Sequence, residues 1–176
     1  RGERNFLLSY WKCIYHSMYR LNHPVVALLA EVFKRIKQEQ NLNDIQLAYT
    51  IARFVQSMQY YIPPGIGIYS PARVLLERGK GQEGPPPPDR NNGWHGAGDC
   101  DTKSLLMVLL FIECGYDAVV LDSYRYQHAM AAISLPGIDG VSVEYRGKNY
   151  YVIESTFPNW AIGQMPPQYT DLSFFL

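Results

Sequence analysis

The sequence predicts an α+β fold, and three observations predict it. Apolar residues fall at helical spacing through the first third of the chain. They do so again, almost without interruption, in LLMVLLFIECG behind Gly98-Asp99-Cys100. The last third instead breaks into short strand-like runs separated by turn residues. Helices first and antiparallel strands afterwards is the α+β order. With 176 residues, the chain is one domain on the usual prior of ~100–200 residues. Its 47% apolar and 18% charged composition is that of a folded protein rather than a disordered one.

Each element has its own signature. Phe6, Leu7, Tyr10, Trp11, Ile14 and Met18 predict a short amphipathic helix from Asn5 to Tyr19. Pro24 suits the first position of a second helix, because a first-turn residue needs no backbone N–H. Its apolar face would be Val25, Val26, Leu28, Leu29, Val32, Phe33 and Ile36, ending near Gln40. Asp44 is placed to cap a third helix, with Ile45, Ala48, Ile51, Ala52, Val55 and Met58 inward and Pro63-Pro64-Gly65 as its stop. Pro71 opens one more expected helical turn through Arg78.

Residues 79–98 differ in kind: GKGQEG, four prolines in a row, then DRNNGWHGAG. They show no period and read as a long surface loop, extended at the prolines. The buried helix that follows stops at Gly115. Strands are expected over Ala118–Asp122, His128–Ser134, Val141–Tyr145 and Tyr150–Ser155, as an antiparallel meander whose last two members are joined by Arg146-Gly147-Lys148-Asn149. Residues 1–44 are read as a helical extension packed on a core of 45–176, with no repeat and no second domain.

Charge narrows the partners. Sixteen Lys plus Arg balance sixteen Asp plus Glu, which argues against nucleic-acid binding through a basic face and against steering to anionic membranes. The three cysteines, Cys13, Cys100 and Cys114, form neither a disulfide framework nor a CxxC zinc pattern. The apolar run Leu105–Ile112 is far short of a membrane span. The chain opens at Arg1 and is expected to be a piece of something longer, so the residues leave localisation open.

Three residues carry the chemistry. Cys100 stands at the mouth of the most apolar helix, where the positive end of the dipole favours a thiolate, the nucleophilic form. His128 opens a strand and is suited to hold the thiol and later donate a proton. His95, in the Gly-rich loop, is the weaker rival because its ring would be poorly fixed. Glu154 shares a strand face with Val152 and Tyr150, where a carboxylate is costly unless paired. An adjacent strand beginning at His128 supplies that pair, which would fix the imidazole tautomer. Taken alone, each has an ordinary reading: a core cysteine, a satisfied histidine, a solvent-facing glutamate. Their order brings a helix start, a strand start and a strand end to one edge of the sheet.

The stretches GDCDTKSLLMVLLFIECGYDAVVL, QHAMAAI and GKNYYVIESTFPNWAIGQMPP resemble the transglutaminase-like superfamily, a branch of the papain-like fold. More closely, they resemble its bacterial transglutaminase-like cysteine peptidases. With IARFVQSMQYY and PARVLLERG, the resemblance spans roughly residues 45–166. It implies a nucleophile-bearing helix packed on an antiparallel sheet, with Cys100 as nucleophile, His128 as general base and acid, and Glu154 in the carboxylate position. Many members carry Asp there; the Glu-x-Thr form, here Glu154-Ser155-Thr156, is associated with the bacterial branch. It also implies an oxyanion donor from the helix before the nucleophile, Gln56 with Gln59 as its neighbour, beside the backbone N–H of Cys100. The loop 79–98 is longer and richer in proline than the link usual in the family, and so is placed to cover the groove.

The expected reaction is acyl transfer on a peptide or protein amide, a cell-wall-type peptide included, through a thioester. Hydrolysis is favoured over cross-linking, because a transferase must exclude water. No cofactor and no metal are implied, and the family setting leans outside the cytoplasm. The rival is a non-catalytic module of the same fold. Trp94, Tyr126, Trp160 and Tyr124 would then line a peptide groove, Trp94 and Tyr126 being the substrate contacts in the enzyme reading, and the loop 79–98 would meet a partner protein. A metal held by Cys100, Cys114 and His128 is the weakest alternative, since Cys114 lies roughly 21 Å along the same helix.

Overall fold

The computed structural model describes residues 2–60, 70–71 and 97–169. It is α+β: helices α1 (Gly2–Glu39), α2 (Asp44–Gln56) and α3 (Cys100–Glu113), a two-stranded parallel pair β1 (Gln59–Tyr60) and β2 (Ala97–Gly98), and a four-stranded antiparallel sheet. The sheet strands are β3 (Asp117–Ser123), β4 (His128–Ser134), β5 (Ser142–Tyr145) and β6 (Lys148–Ile153).

Two expected helices are one. α1 runs through Pro24 without a break. A proline inside a helix removes one N–H from the ladder, so Asn22-His23-Pro24 reads locally as a boundary. Packing overrides it. Val26, Ala30 and Phe33 lie in the core shared with α2 and α3, while Tyr15, Met18 and Tyr19 pack against that core from the first half of the helix. Both halves thus follow one face. Next to the proline the buried Asn22 side chain donates to the Met18 carbonyl at 2.6 Å.

α2 begins one residue earlier in role than expected: Asn43, not Asp44, is its cap. The Asn43 side chain accepts from Gln46 N–H at 2.9 Å, and the Gln46 side chain accepts from Asn43 N–H at 2.9 Å. This reciprocal box satisfies two first-turn donors and leaves Asp44 as the first helical residue. The helix ends at Gln56, well before Pro63. The expected stop Pro63-Pro64-Gly65, the turn after Pro71 and residues 79–96 of the expected loop lie outside the described residues. Ala97-Gly98, expected at the end of that loop, form β2.

α3 is capped by Asp99, whose carboxylate accepts from Thr102 N–H at 3.0 Å and from its hydroxyl at 2.6 Å. Every residue from Leu105 to Phe111 is buried. Gly115, at φ +89, turns the chain out of the helix as expected.

The sheet is not a simple meander. Its order is β3-β4-β6-β5, so the last strand inserts between the second and the third. Ala131 pairs with Ile153, and Val143 pairs with Tyr150. The β5–β6 link is two residues, Arg146-Gly147, both at positive φ, rather than the expected four. Alternation assigns Ala131 and Ile133 to the helical layer. Met130, Ala132, Tyr150 and Val152 go to a second cluster on the opposite face, closed by Tyr126, Met165 and Tyr169. Inserting β6 beside β4 sets the end of β6 next to the start of β4.

Candidate active site

Cys100 is the first residue of α3, and the Ala129 N–H at the start of β4 acts on its sulfur, favouring the thiolate. The thiol itself donates to Asp101 Oδ1 at 3.6 Å. His128 precedes Ala129, so its ring stands at the same strand end. Glu154 follows the last residue of β6 and reaches back to His128, with Nε2 and Oε2 at 2.9 Å. The other carboxylate oxygen, Oε1, accepts from Thr156 N–H at 2.8 Å and from the Thr156 hydroxyl at 2.6 Å. Glu154 is 1% exposed. Burial alone would raise its pKa. The bonds from His128 and Thr156 outweigh burial and hold the carboxyl below its ordinary value.

The electrostatics at the sulfur differ from the helix-dipole expectation. Burial, then the Asp101 carboxylate, push the Cys100 thiol up to about 12, against the Ala129 N–H, which favours the thiolate. A helix N-terminus contributes roughly half a charge. Here a full carboxylate one residue away and a side chain only 9% exposed prevail. The resting thiol is therefore protonated at neutral pH.

Gln56 is brought to the site but not as an oxyanion donor. It is buried, and its side-chain N–H groups are both committed, to the Glu154 carbonyl at 2.8 Å and the Trp160 carbonyl at 3.0 Å. An amide nitrogen has two hydrogens, so none remains for a tetrahedral oxygen. Gln56 instead fixes the backbone that carries Glu154. Gln59 starts β1, next to Tyr60. Tyr60 lies near the Cys100 sulfur: burial, then the Cys100 charge, push its phenol up to about 12, which keeps it a donor. The pairing of Tyr60 with Gly98 across β1 and β2 brings it there. Tyr60 lies in the QYY run beside Gln56, a local signal that was available in the sequence.

Trp94 and His95 lie outside the described residues. Tyr126 reaches the site through Tyr169: the two rings are 5.0 Å apart, and Tyr169 stacks on the His128 imidazole at 4.9 Å and 19°. Nothing local distinguishes Tyr169 among 14 tyrosines. Trp160 supplies a backbone carbonyl, and Tyr124 is largely exposed. Cys13 is exposed and Cys114 half-buried at the far end of α3. Among the described residues no group of three or more His, Cys, Asp or Glu side chains is arranged to hold a metal ion.

A second carboxyl, that of Asp122, is paired with a tyrosine. Tyr15 of α1 donates to Asp122 Oδ1 of β3 at 2.8 Å. Burial pushes the Asp122 carboxyl up to about 7, with Asp101 adding to the shift and the Tyr15 bond opposing it. The folded state therefore holds a proton that the unfolded chain releases near pH 4. Stability contributed in acid is lost as pH rises from ~4 to ~7. Asp122→Asn, which still accepts from Tyr15, is expected to remove that loss. Thermal unfolding should show the variant about 2 kcal/mol more stable than wild type at pH 8, allowing for partial exposure, and level with it near pH 4.

The chain matches no family model, no curated protein and no solved structure.

Proposed function

We propose that the protein is a cysteine-dependent acyl-transfer enzyme of transglutaminase-like, papain-type architecture, hydrolysing a peptide or protein amide through a thioester. The observation that carries this reading is the His128–Glu154 pair, at 2.9 Å with the carboxylate buried, at the end of β4 whose next residue, Ala129, acts on the Cys100 sulfur. Glu154 occupies Nε2 of the imidazole, which leaves Nδ1 as the nitrogen to take the thiol proton. As it does so, the sulfur attacks the amide carbonyl and the carbonyl π electrons move onto oxygen. The tetrahedral adduct collapses by breaking the C–N bond, and the imidazolium gives its proton to the departing amine. Water then attacks the thioester, with His128 as base, and releases the acid and the thiol. Because the thiol rests protonated, proton transfer accompanies attack rather than preceding it. The first-turn N–H of Cys100 and the Tyr60 hydroxyl are the donors assigned to the oxyanion in place of Gln56.

The test is release of amine from a panel of peptide amides by the wild type and by Cys100→Ala. Turnover is expected only with the thiol, at least ~10³-fold above the variant. Equal rates would end the enzyme reading. One observation favours a second reading, a non-catalytic binding module of the same fold: the nucleophile is buried and protonated at rest. Under that reading Cys100→Ala would bind peptides as the wild type does, and neither would turn them over.

A further inference from the structure

Lys103 is a lysine with 0% exposure, one turn into α3 from Cys100. Its ammonium donates to the Met58 carbonyl at 2.7 Å, the Gln56 carbonyl at 3.4 Å and the Thr156 carbonyl at 3.5 Å. Three donors thus meet three backbone acceptors from two separate places, the C-terminal end of α2 and the loop that follows Glu154. The residues around it make the same junction. Ser104, next on α3, bonds to the Ala129 carbonyl at 3.1 Å and to the Ser155 hydroxyl at 2.9 Å, and Gln56 holds the Glu154 carbonyl. A buried ammonium is costly. Burial lowers Lys103 to about 8, with Glu154 opposing the shift. A core that needed only to be filled would be served by Met or Leu at this position.

We propose that Lys103 is a positioning residue for the catalytic carboxylate. It ties the Glu154–Thr156 loop to the helix bearing Cys100, so that Glu154 meets His128 while His128 stands at the thiol. The inference rests on the enzyme reading above and deepens it. Lys103 touches no reacting atom; it acts through Thr156, whose N–H and hydroxyl hold Glu154 Oε1.

The experiment follows iodoacetamide alkylation of the folded protein at pH 7.5, with adducts at Cys100 and Cys114 located by peptide mass mapping. It compares wild type, His128→Ala, Lys103→Met and Lys103→Arg. The proposal expects Lys103→Met to slow Cys100 about 10-fold, as His128→Ala does, with Cys114 unchanged, and Lys103→Arg to recover most of the rate. A role in packing alone predicts the reverse: a loosened fold in which Cys100 and Cys114 both react faster. That result, or an unchanged Cys100 rate, overturns the proposal and leaves the enzyme reading standing. If His128→Ala does not slow Cys100, the enzyme reading fails and takes this proposal with it. Should Lys103→Met not fold, Lys103→Gln, which keeps two N–H donors without the charge, carries the same comparison.

Discussion

Glu154→Gln is expected to lower turnover by ~10⁴-fold while leaving the fold intact. The reason lies in the donors around the carboxylate. Thr156 directs an N–H and a hydroxyl at one oxygen, Oε1. A glutamine must keep its oxygen there, because its NH₂ has nothing to offer two donors. The NH₂ then faces His128 Nε2, which becomes an acceptor, and the ring proton moves to Nδ1. An imidazole protonated at Nδ1 cannot take the proton of the Cys100 thiol. The substitution thus reverses the tautomer while keeping size and nearly all hydrogen bonds. Steady-state kinetics beside a thermal unfolding curve check it: a fall in kcat with a small change in Tm fits, and activity within tenfold of wild type does not.

The second large effect is on stability. Gly163→Ala is expected to cost about 3–4 kcal/mol, read as a fall in Tm on the order of 10 °C. Gly163 has φ +84, and a methyl group there would lie 2.3 Å from the Asp139 carbonyl oxygen. Gly140, at φ +128, faces it with the same problem toward the Gly163 oxygen, at 2.4 Å. Backbone meets backbone, so no side chain can yield. The close approach serves a short ladder: Val141 N–H donates to the Gly163 carbonyl and Gly163 N–H to the Val152 carbonyl, both at 2.8 Å. This ladder seats the 160–163 segment, whose Trp160 carbonyl receives Gln56. The two substitutions therefore separate, one removing chemistry from an intact fold and the other loosening the fold that supports the chemistry.

The places of Cys100, His128 and Glu154 in the fold were legible because each sits where an element starts or ends, and starts and ends are written locally. Asp99 caps α3, strand alternation sets the face of His128, and a lone carboxylate in an apolar strand calls for a partner. What depends on distant packing was not legible. α1 runs through Pro24 because Phe33 and Tyr15 share one core face, which no local rule weighs against a proline. The insertion of β6 between β4 and β5 pairs residues far apart in the chain, such as Ala131 with Ile153, which the turn at Gly147 does not encode. Gln56 and Lys103 show the same limit more sharply. The family resemblance implies a donor near the nucleophile for the first, and the sequence offers no reading of the second. Only the fold reveals that the carbonyls of Glu154, Trp160, Met58 and Thr156 take them. The thiol illustrates a competition of magnitudes: the dipole is visible in the sequence, while burial and the orientation of Asp101 are not.

Acylation of Cys100, with His128 taking the thiol proton, is read from the acyl-enzyme itself. The protein is mixed with an activated acetyl ester, quenched in acid during turnover, and mapped by mass. One acetyl group per chain is expected, on Cys100, accumulating at least ~10²-fold faster in wild type than in His128→Ala. Acetyl groups scattered over lysines, or a Cys100 adduct that forms at the same rate without the imidazole, would contradict the thioester reading.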